Sequence, residues 1–187
     1  MYPLYKMWPE EFSKGDCDQI ISKGQKLLAQ EAAMVQKGKK IDNEKRSSKV
    51  RWIERGDKND LNNLFSMFDK YFEFANLHFR FDLTRFKSFQ FTEYNQGDHY
   101  TWHSDWFLET KNKYQRKLSL TMQLTDPSHY DGGDFQFHEL DDGPDVRLLR
   151  KQGTILVFPS YLVHRIRLVT RGCRHSLVAW YEGPEFR

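Results

Sequence analysis

The chain has 187 residues, of which 39% are hydrophobic and 16% aromatic, too much bulky apolar material for a disordered chain and enough for one domain with a sizeable core. A net charge of +3, from 29 basic and 26 acidic residues, makes no compositional case for a nucleic-acid partner. Two cysteines, Cys17 and Cys173, argue against a disulfide framework, and neither a leader pattern nor an apolar run of membrane-spanning length is evident, so a soluble cytoplasmic protein is expected.

Residues 16 to 34 carry Ile20, Ile21, Leu27, Leu28 and Ala32 at helical spacing, with Asp16 placed to cap the start. A basic stretch follows, in which Lys37, Lys39, Lys40, Lys45, Arg46, Lys49 and Arg51 stand against Asp42 and Glu44. It reads as a solvated loop, or as a basic lip over an anionic or peptide substrate. A second helix is predicted over residues 58 to 79, with Leu61, Leu64, Phe65, Phe68, Phe72, Ala75 and Phe79 on one stripe, a core-packing face.

From residue 86 the hydrophobic period becomes two. "FKSFQFTEY", "LSLTMQL", "DFQFHEL", "VRLLR", "TILVF", "VHRIRLV" and "CRHSLVAWY" read as short strands. Turn signals separate them at 95–98, 131–133, 142–144, 152–153 and 171–172. The predicted class is mainly β, a sandwich or barrel with flanking N-terminal helices.

On a strand His103 and Asp105, two residues apart, would project to one side. That pair alone is a weak signal in a chain with seven histidines. His78, His129 and His138 read as surface or interface histidines, and nothing in such a site needs His99. His164 differs, because it follows the apolar run "GTILVFPSYLV" and opens the next strand. Ten residues on, Arg174 and Ser176 share a strand face and offer a guanidinium fork and a hydroxyl to a carboxylate. A hairpin at 170–172 would put His164 on the strand beside them. Two imidazoles and one carboxylate leave coordination positions open, the arrangement of non-haem Fe(II) oxygenases, whereas structural zinc is closed by four ligands. An α-keto acid with a second carboxylate, 2-oxoglutarate, would chelate the metal at one end and meet Arg174 at the other.

Three blocks, "FTEYNQGDHYTWHSDW", "LSLTMQLTDPSHYDGGDFQF" and "GTILVFPSYLVHRIRLVTRGCRHSLVAW", resemble the Fe(II)- and 2-oxoglutarate-dependent dioxygenases. The pattern is similar to the prolyl 4-hydroxylase-like superfamily, in particular its PKHD-type members of bacteria and phages, over residues 86 to 182. The resemblance implies a double-stranded β-helix, a distorted jelly roll. It implies one dioxygenase domain over 1–187, with 1–85 as helical support and candidate substrate loop and 86–187 as the catalytic β-core. His103, Asp105 and His164 match the iron ligands, and Arg174 matches the residue that binds the far carboxylate of 2-oxoglutarate. Ser176 would assist, and Tyr94 would line the co-substrate pocket. Gln123 stands where many animal prolyl hydroxylases have a second tyrosine, and with Ser119 and Thr121 it would form a polar wall.

Fe(II), 2-oxoglutarate and O2 are the implied cofactor and co-substrates, with ascorbate as a candidate reductant. The implied reaction is hydroxylation of an unactivated C–H bond, with release of succinate and CO2. The carboxylate at Asp105 favours hydroxylation over halogenation. The substrate expected first is a prolyl residue of a protein or peptide. Alternatives are a free amino acid or other small metabolite, or a non-catalytic jelly-roll binding domain. Trp102 and Trp106 would frame the mouth or pack in the core. A monomer is expected, in the host cytoplasm if the chain is phage-encoded.

Overall fold

The structure is a computed structural model that describes residues 4–27, 30–31, 45–106, 113–138 and 143–186. The strands are β1 (Lys6–Trp8), β2 (Gln30–Glu31), β3 (Arg46–Ser47), β4 (Lys49–Glu54), β5 (Ser88–Asn95), β6 (His99–His103), β7 (Tyr114–Gln123), β8 (Tyr130–Gly132), β9 (Phe135–Phe137), β10 (Ile155–Pro159), β11 (His164–Ile166) and β12 (Val169–Pro184). The helices are α1 (Lys14–Gln25), α2 (Leu64–Phe79) and α3 (Val146–Leu149). An antiparallel major sheet runs β1-β10-β7-β12-β5-β4-β2, with β8 on β12, and a minor sheet runs β3-β6-β11-β9. Together they form the distorted jelly roll, and none of the helices described is long and apolar enough to cross a membrane.

Strict alternation decides what each face of the major sheet does. Along β7, Leu118, Leu120 and Met122 point into a core built with α1 and α2, while Ser119, Thr121 and Gln123 point the other way. Along β12, Leu177 and Ala179 join the core, and Ser176, Val178 and Trp180 face a cavity. Phe65, Phe68 and Phe72 of α2 interlock with Phe86 and Phe89, with ring centroids 4.9 to 6.3 Å apart. Burying such a cluster is the main stabilising term available to this chain.

Several boundaries depart from the sequence pattern. Ser13, not Asp16, caps α1; its hydroxyl accepts from Asp16 N and the Asp16 carboxylate accepts from Ser13 N, both at 3.2 Å. The helix stops at Gln25, and Gln30–Glu31 pair with β4 instead of extending it. Gly24, near that end, lies so close to Phe91 that a Cβ would come within 2.4 Å of its ring. The second helix begins at Leu64 and not at 58, because Asn59 and Asn62 turn the chain with side-chain and backbone hydrogen bonds. "VRLLR" is no strand: Asp145 accepts from Arg147 N at 2.8 Å and starts the short α3.

The signal at 171–172 marks no hairpin. Gly172 (φ +74°) bends the interior of the 16-residue β12, where a Cβ would meet His129 O at 2.1 Å. Val169 to Gly172 pair with β8, and the rest of the strand runs between β5 and β7. His164 therefore sits in the minor sheet and Arg174 in the major one, facing sheets and not adjacent strands. Residues 45 to 51 of the basic stretch form β3 and the start of β4, and 37 to 44 lie outside the described residues.

Candidate metal centre

His103 closes β6, His164 opens β11, and the two are register partners across the minor sheet. Asp105 lies beyond the strand end. A bend at Asp105 carries it inward, and Asp105 N and Trp106 N both donate to Ser160 O, at 2.9 and 3.1 Å. The expected convergence is present, but a loop tether produces it and not strand alternation. Asp105 Oδ1 is 3.9 Å from His103 Nε2, and Oδ2 is 3.6 Å from His164 Nε2; one ligand atom from each residue lies within 4.8 Å of the others.

Hydrogen bonds aim these groups. His103 Nδ1 donates to Thr101 O at 2.8 Å and His164 Nδ1 to Leu162 O at 2.9 Å. A carbonyl only accepts, so each Nδ1 carries a proton, and Nε2 is the ring nitrogen that each histidine turns toward Asp105 and a metal. Ser119 Oγ donates to Asp105 Oδ2 at 2.7 Å and lies 2.9 Å from Ser160 Oγ. Burial and the neighbouring His164 push His103 down to about 4, so its imidazole is neutral at ordinary pH. Burial works against charge on Asp105, yet His164, Arg116 and His103 hold its carboxyl below the usual range. Two imidazoles and one carboxylate suit a divalent cation of intermediate hardness.

The cavity around this triad is lined from both sheets. Tyr94, Thr121, Ser176 and Trp180 come from the major sheet, and Tyr100, Phe135 and Ile166 from the minor one. A second cavity adjoins it, sharing Thr121 and Phe135, and holds Gln123 and Arg174. Arg174 is 4% exposed, donates to Ser176 Oγ at 3.2 Å and lies over the Tyr94 ring at 5.6 Å. Among the described residues no carboxylate pairs with it, and a buried guanidinium without a counter-ion calls for an anion. The structure thus brings together all seven residues singled out from the sequence.

Other cavity residues escaped the sequence. Arg116 shares the parity of Leu118 and Leu120, but the register of β7 on β12 shifts between Leu118 and Arg116, and its guanidinium sits in the cavity 3.7 Å from the Trp180 ring centroid. Alternation along β7 would have assigned it to the core face, because a bulge leaves no mark in the sequence pattern. Arg46 stacks over Tyr100 at 4.6 Å, and only the long-range pairing of β3 with β6 brings it there. Trp102 is 38% exposed and turned away from the ligands, packed against Arg165 and His138. Trp106 lies 6.4 Å from Phe186.

A jelly roll with an open two-histidine, one-carboxylate cluster and a buried arginine beside it defines a class, the non-haem metal oxygenases. The model of the 2OG-Fe(II) oxygenase superfamily matches residues 89–182, and the chain belongs to that family, which implies Fe(II), 2-oxoglutarate and O2. A PKHD-type hydroxylase of Synechococcus sp. (strain CC9311) is 42% identical over 65 residues, 35% of this chain and 29% of that protein. The chain spans less than half the length of the curated relatives that it matches. In fold it is similar to a viral collagen prolyl hydroxylase from Paramecium Bursaria Chlorella virus-1 (TM-score 0.71, 21% identity, 97% of each chain). It is likewise similar to a Trichoplax adhaerens prolyl hydroxylase solved with a hypoxia inducible factor peptide (TM-score 0.75, 14% identity, 95% of this chain and 83% of that one).

Proposed function

We propose that the chain is an Fe(II)- and 2-oxoglutarate-dependent hydroxylase acting on a prolyl residue of a protein or peptide. The observation that carries this reading is the pairing of an open metal-ligating face with a buried arginine that has no counter-ion among the described residues, in cavities that adjoin. His103, Asp105 and His164 would hold the metal. Arg174 and Ser176 would receive the far carboxylate of 2-oxoglutarate, with Tyr94 as the wall between. Bound there, iron with 2-oxoglutarate and O2 supplies an oxidant that exchanges a C–H hydrogen for hydroxyl and releases succinate and CO2.

The chain's own contribution is positional. Ser119 and the backbone of Ser160 fix the Asp105 carboxylate, and Thr101 and Leu162 fix the two rings. Phe135 and Phe158 pack against His164, with centroids at 5.3 and 4.9 Å, and keep water from that side of the cavity. The peptide bound to the Trichoplax relative supports a peptide substrate here. A second reading, hydroxylation of a free amino acid or similar small acid, is favoured by Arg46 and Arg116 in the cavity wall.

Succinate release should be measured with Fe(II), 2-oxoglutarate, proline-containing peptides and free amino acids, together with mass spectrometry for one added oxygen. Peptide-dependent succinate with oxygen on proline supports the first reading, and amino-acid-dependent turnover the second. No succinate from any of them, with no 2-oxoglutarate binding, rejects both.

A further inference from the structure

Beside Arg174 stands a hydrogen-bond donor that the site as described so far leaves unused. Tyr130, at the start of β8, is 1% exposed, and the register pair Gly172–Tyr130 puts it next to the strand that carries Arg174. The Arg150 guanidinium lies over its ring at 4.4 Å and is itself fixed by Tyr130 O, Gly132 O and Asp134 Oδ1 at 3.1, 2.8 and 2.6 Å. The Tyr130 hydroxyl oxygen accepts from Gln123 Nε2 at 3.1 Å. The same amide nitrogen donates to Thr125 O at 3.0 Å, so both Gln123 hydrogens are committed. The proton of the Tyr130 hydroxyl has no acceptor among the described residues, although buried donors ordinarily find one.

Tyr130 lines the same cavity as Thr121, Gly133, Phe135 and Arg174. Gly133 (φ +64°) keeps it open. A Cβ there would stand 3.0 Å from Arg174 Cδ and 3.4 Å from Tyr130 Cε2, so the missing side chain lets guanidinium and phenol share one space.

We infer that Tyr130 is a further receptor, beside Arg174 and Ser176, for the far carboxylate of 2-oxoglutarate, and that Gln123 is the residue that positions it. A carboxylate offers about four lone-pair sites, more than one guanidinium fork satisfies, and a phenol O–H adds a charge-assisted bond. The hydroxyl thus arrives from β8, while the β7 position carries an amide that orients it. This inference rests on the proposed function, since it takes 2-oxoglutarate to lie against Arg174.

The test is anaerobic equilibrium binding to the full chain loaded with Fe(II), followed by the visible absorption of the iron–keto acid chelate. Two ligands are compared: 2-oxoglutarate, and 2-oxobutyrate, which keeps the chelating end and lacks the far carboxylate. Tyr130→Phe should weaken 2-oxoglutarate about tenfold or more and leave 2-oxobutyrate within about twofold of wild type. Gln123→Leu should weaken 2-oxoglutarate less, and should cost nothing further when added to Tyr130→Phe. Unchanged 2-oxobutyrate binding shows that the variants fold. If Tyr130→Phe leaves 2-oxoglutarate within about twofold while Arg174→Ala erases the preference between the two acids, the role of Tyr130 is overturned and that of Arg174 stands. Equal losses for both acids would overturn it as a packing effect. A wild-type chain with no preference for 2-oxoglutarate would overturn this inference and the proposed function together.

Discussion

The two sheets of this protein have divided their work unequally. The major sheet has strands of up to 16 residues and buries one whole face against α1 and α2 in an aromatic core. The minor sheet has strands of two to five residues and a much smaller apolar cluster, yet it supplies both histidines of the metal triad. Between them, β7 and β12 present leucines to the helices and Ser119, Gln123, Arg174 and Ser176 to the cavities. Buried polar and charged groups carry a desolvation cost, and the helix-side core is what offsets it. The comparison teaches that stability and chemistry are separated by sheet face, not by segment of chain.

If so, removing a ligand and removing a core ring should fail in different ways. His164→Ala has the largest expected effect on function: turnover vanishes and Fe(II) is lost on dialysis, while the thermal midpoint of the metal-free chain barely moves. Phe72→Ala removes a fully buried ring of α2 that touches Phe86 and Tyr181. It should cost about 3 to 5 kcal/mol in urea unfolding, while the folded fraction still takes up iron. A His164→Ala chain as unstable as Phe72→Ala would break the separation.

That separation also explains what could be seen beforehand. The core stripe of α2 and the alternation of β7, β10 and β12 are local patterns, and they were legible. His103, Asp105, His164 and Arg174 were legible because their chemistry is rare in combination. The hairpin expected at 170–172 was wrong because Gly172 can bend a strand as readily as end one, and only the close approach of His129 O decides between them. Arg46 was illegible as a cavity residue because its place depends on a two-residue pairing with β6, 52 to 54 positions away. Tyr130 was passed over because nothing in its own segment announces that Gln123 holds its hydroxyl.

A pH experiment probes the back of the major sheet. Burial pushes His175 down to about 4, with Glu93 opposing and Arg51 and Arg174 adding to the effect. Below the unfolded value of about 6.5 the unfolded chain takes a proton that the folded chain refuses. The contribution of His175 is therefore full above about pH 6.5 and is lost as pH falls toward 4, about 3 kcal/mol from this group. Burial opposes charge on Glu93, but Asn95, Arg51, Lys49 and His175 hold its carboxyl below the usual range, so its contribution is lost only at lower pH. Urea midpoints of the metal-free chain at pH 7 and 5 check this, and His175→Gln should remove about half of the difference, because His103, also held at about 4, contributes over the same window. An unflattened slope would assign the loss to other groups.

The smallest expected effect is also the one that tests where the two sheets meet. Ser119 belongs to the major sheet, but its hydroxyl donates to the Asp105 carboxylate of the triad. Ser119→Ala removes that bond and leaves the apolar face of β7 untouched. Fe(II) affinity, measured by competition with a chelator, should fall about 10- to 100-fold, as when an outer partner of a metal ligand is lost. Turnover at saturating iron should recover, which distinguishes a loosened ligand from a missing one. A Ser119→Ala chain that held Fe(II) as tightly as wild type would mean that the backbone tether from Asp105 N to Ser160 O, at the end of β10, orients the carboxylate unaided, and that the major sheet reaches the metal centre through its backbone and not through the Ser119 hydroxyl.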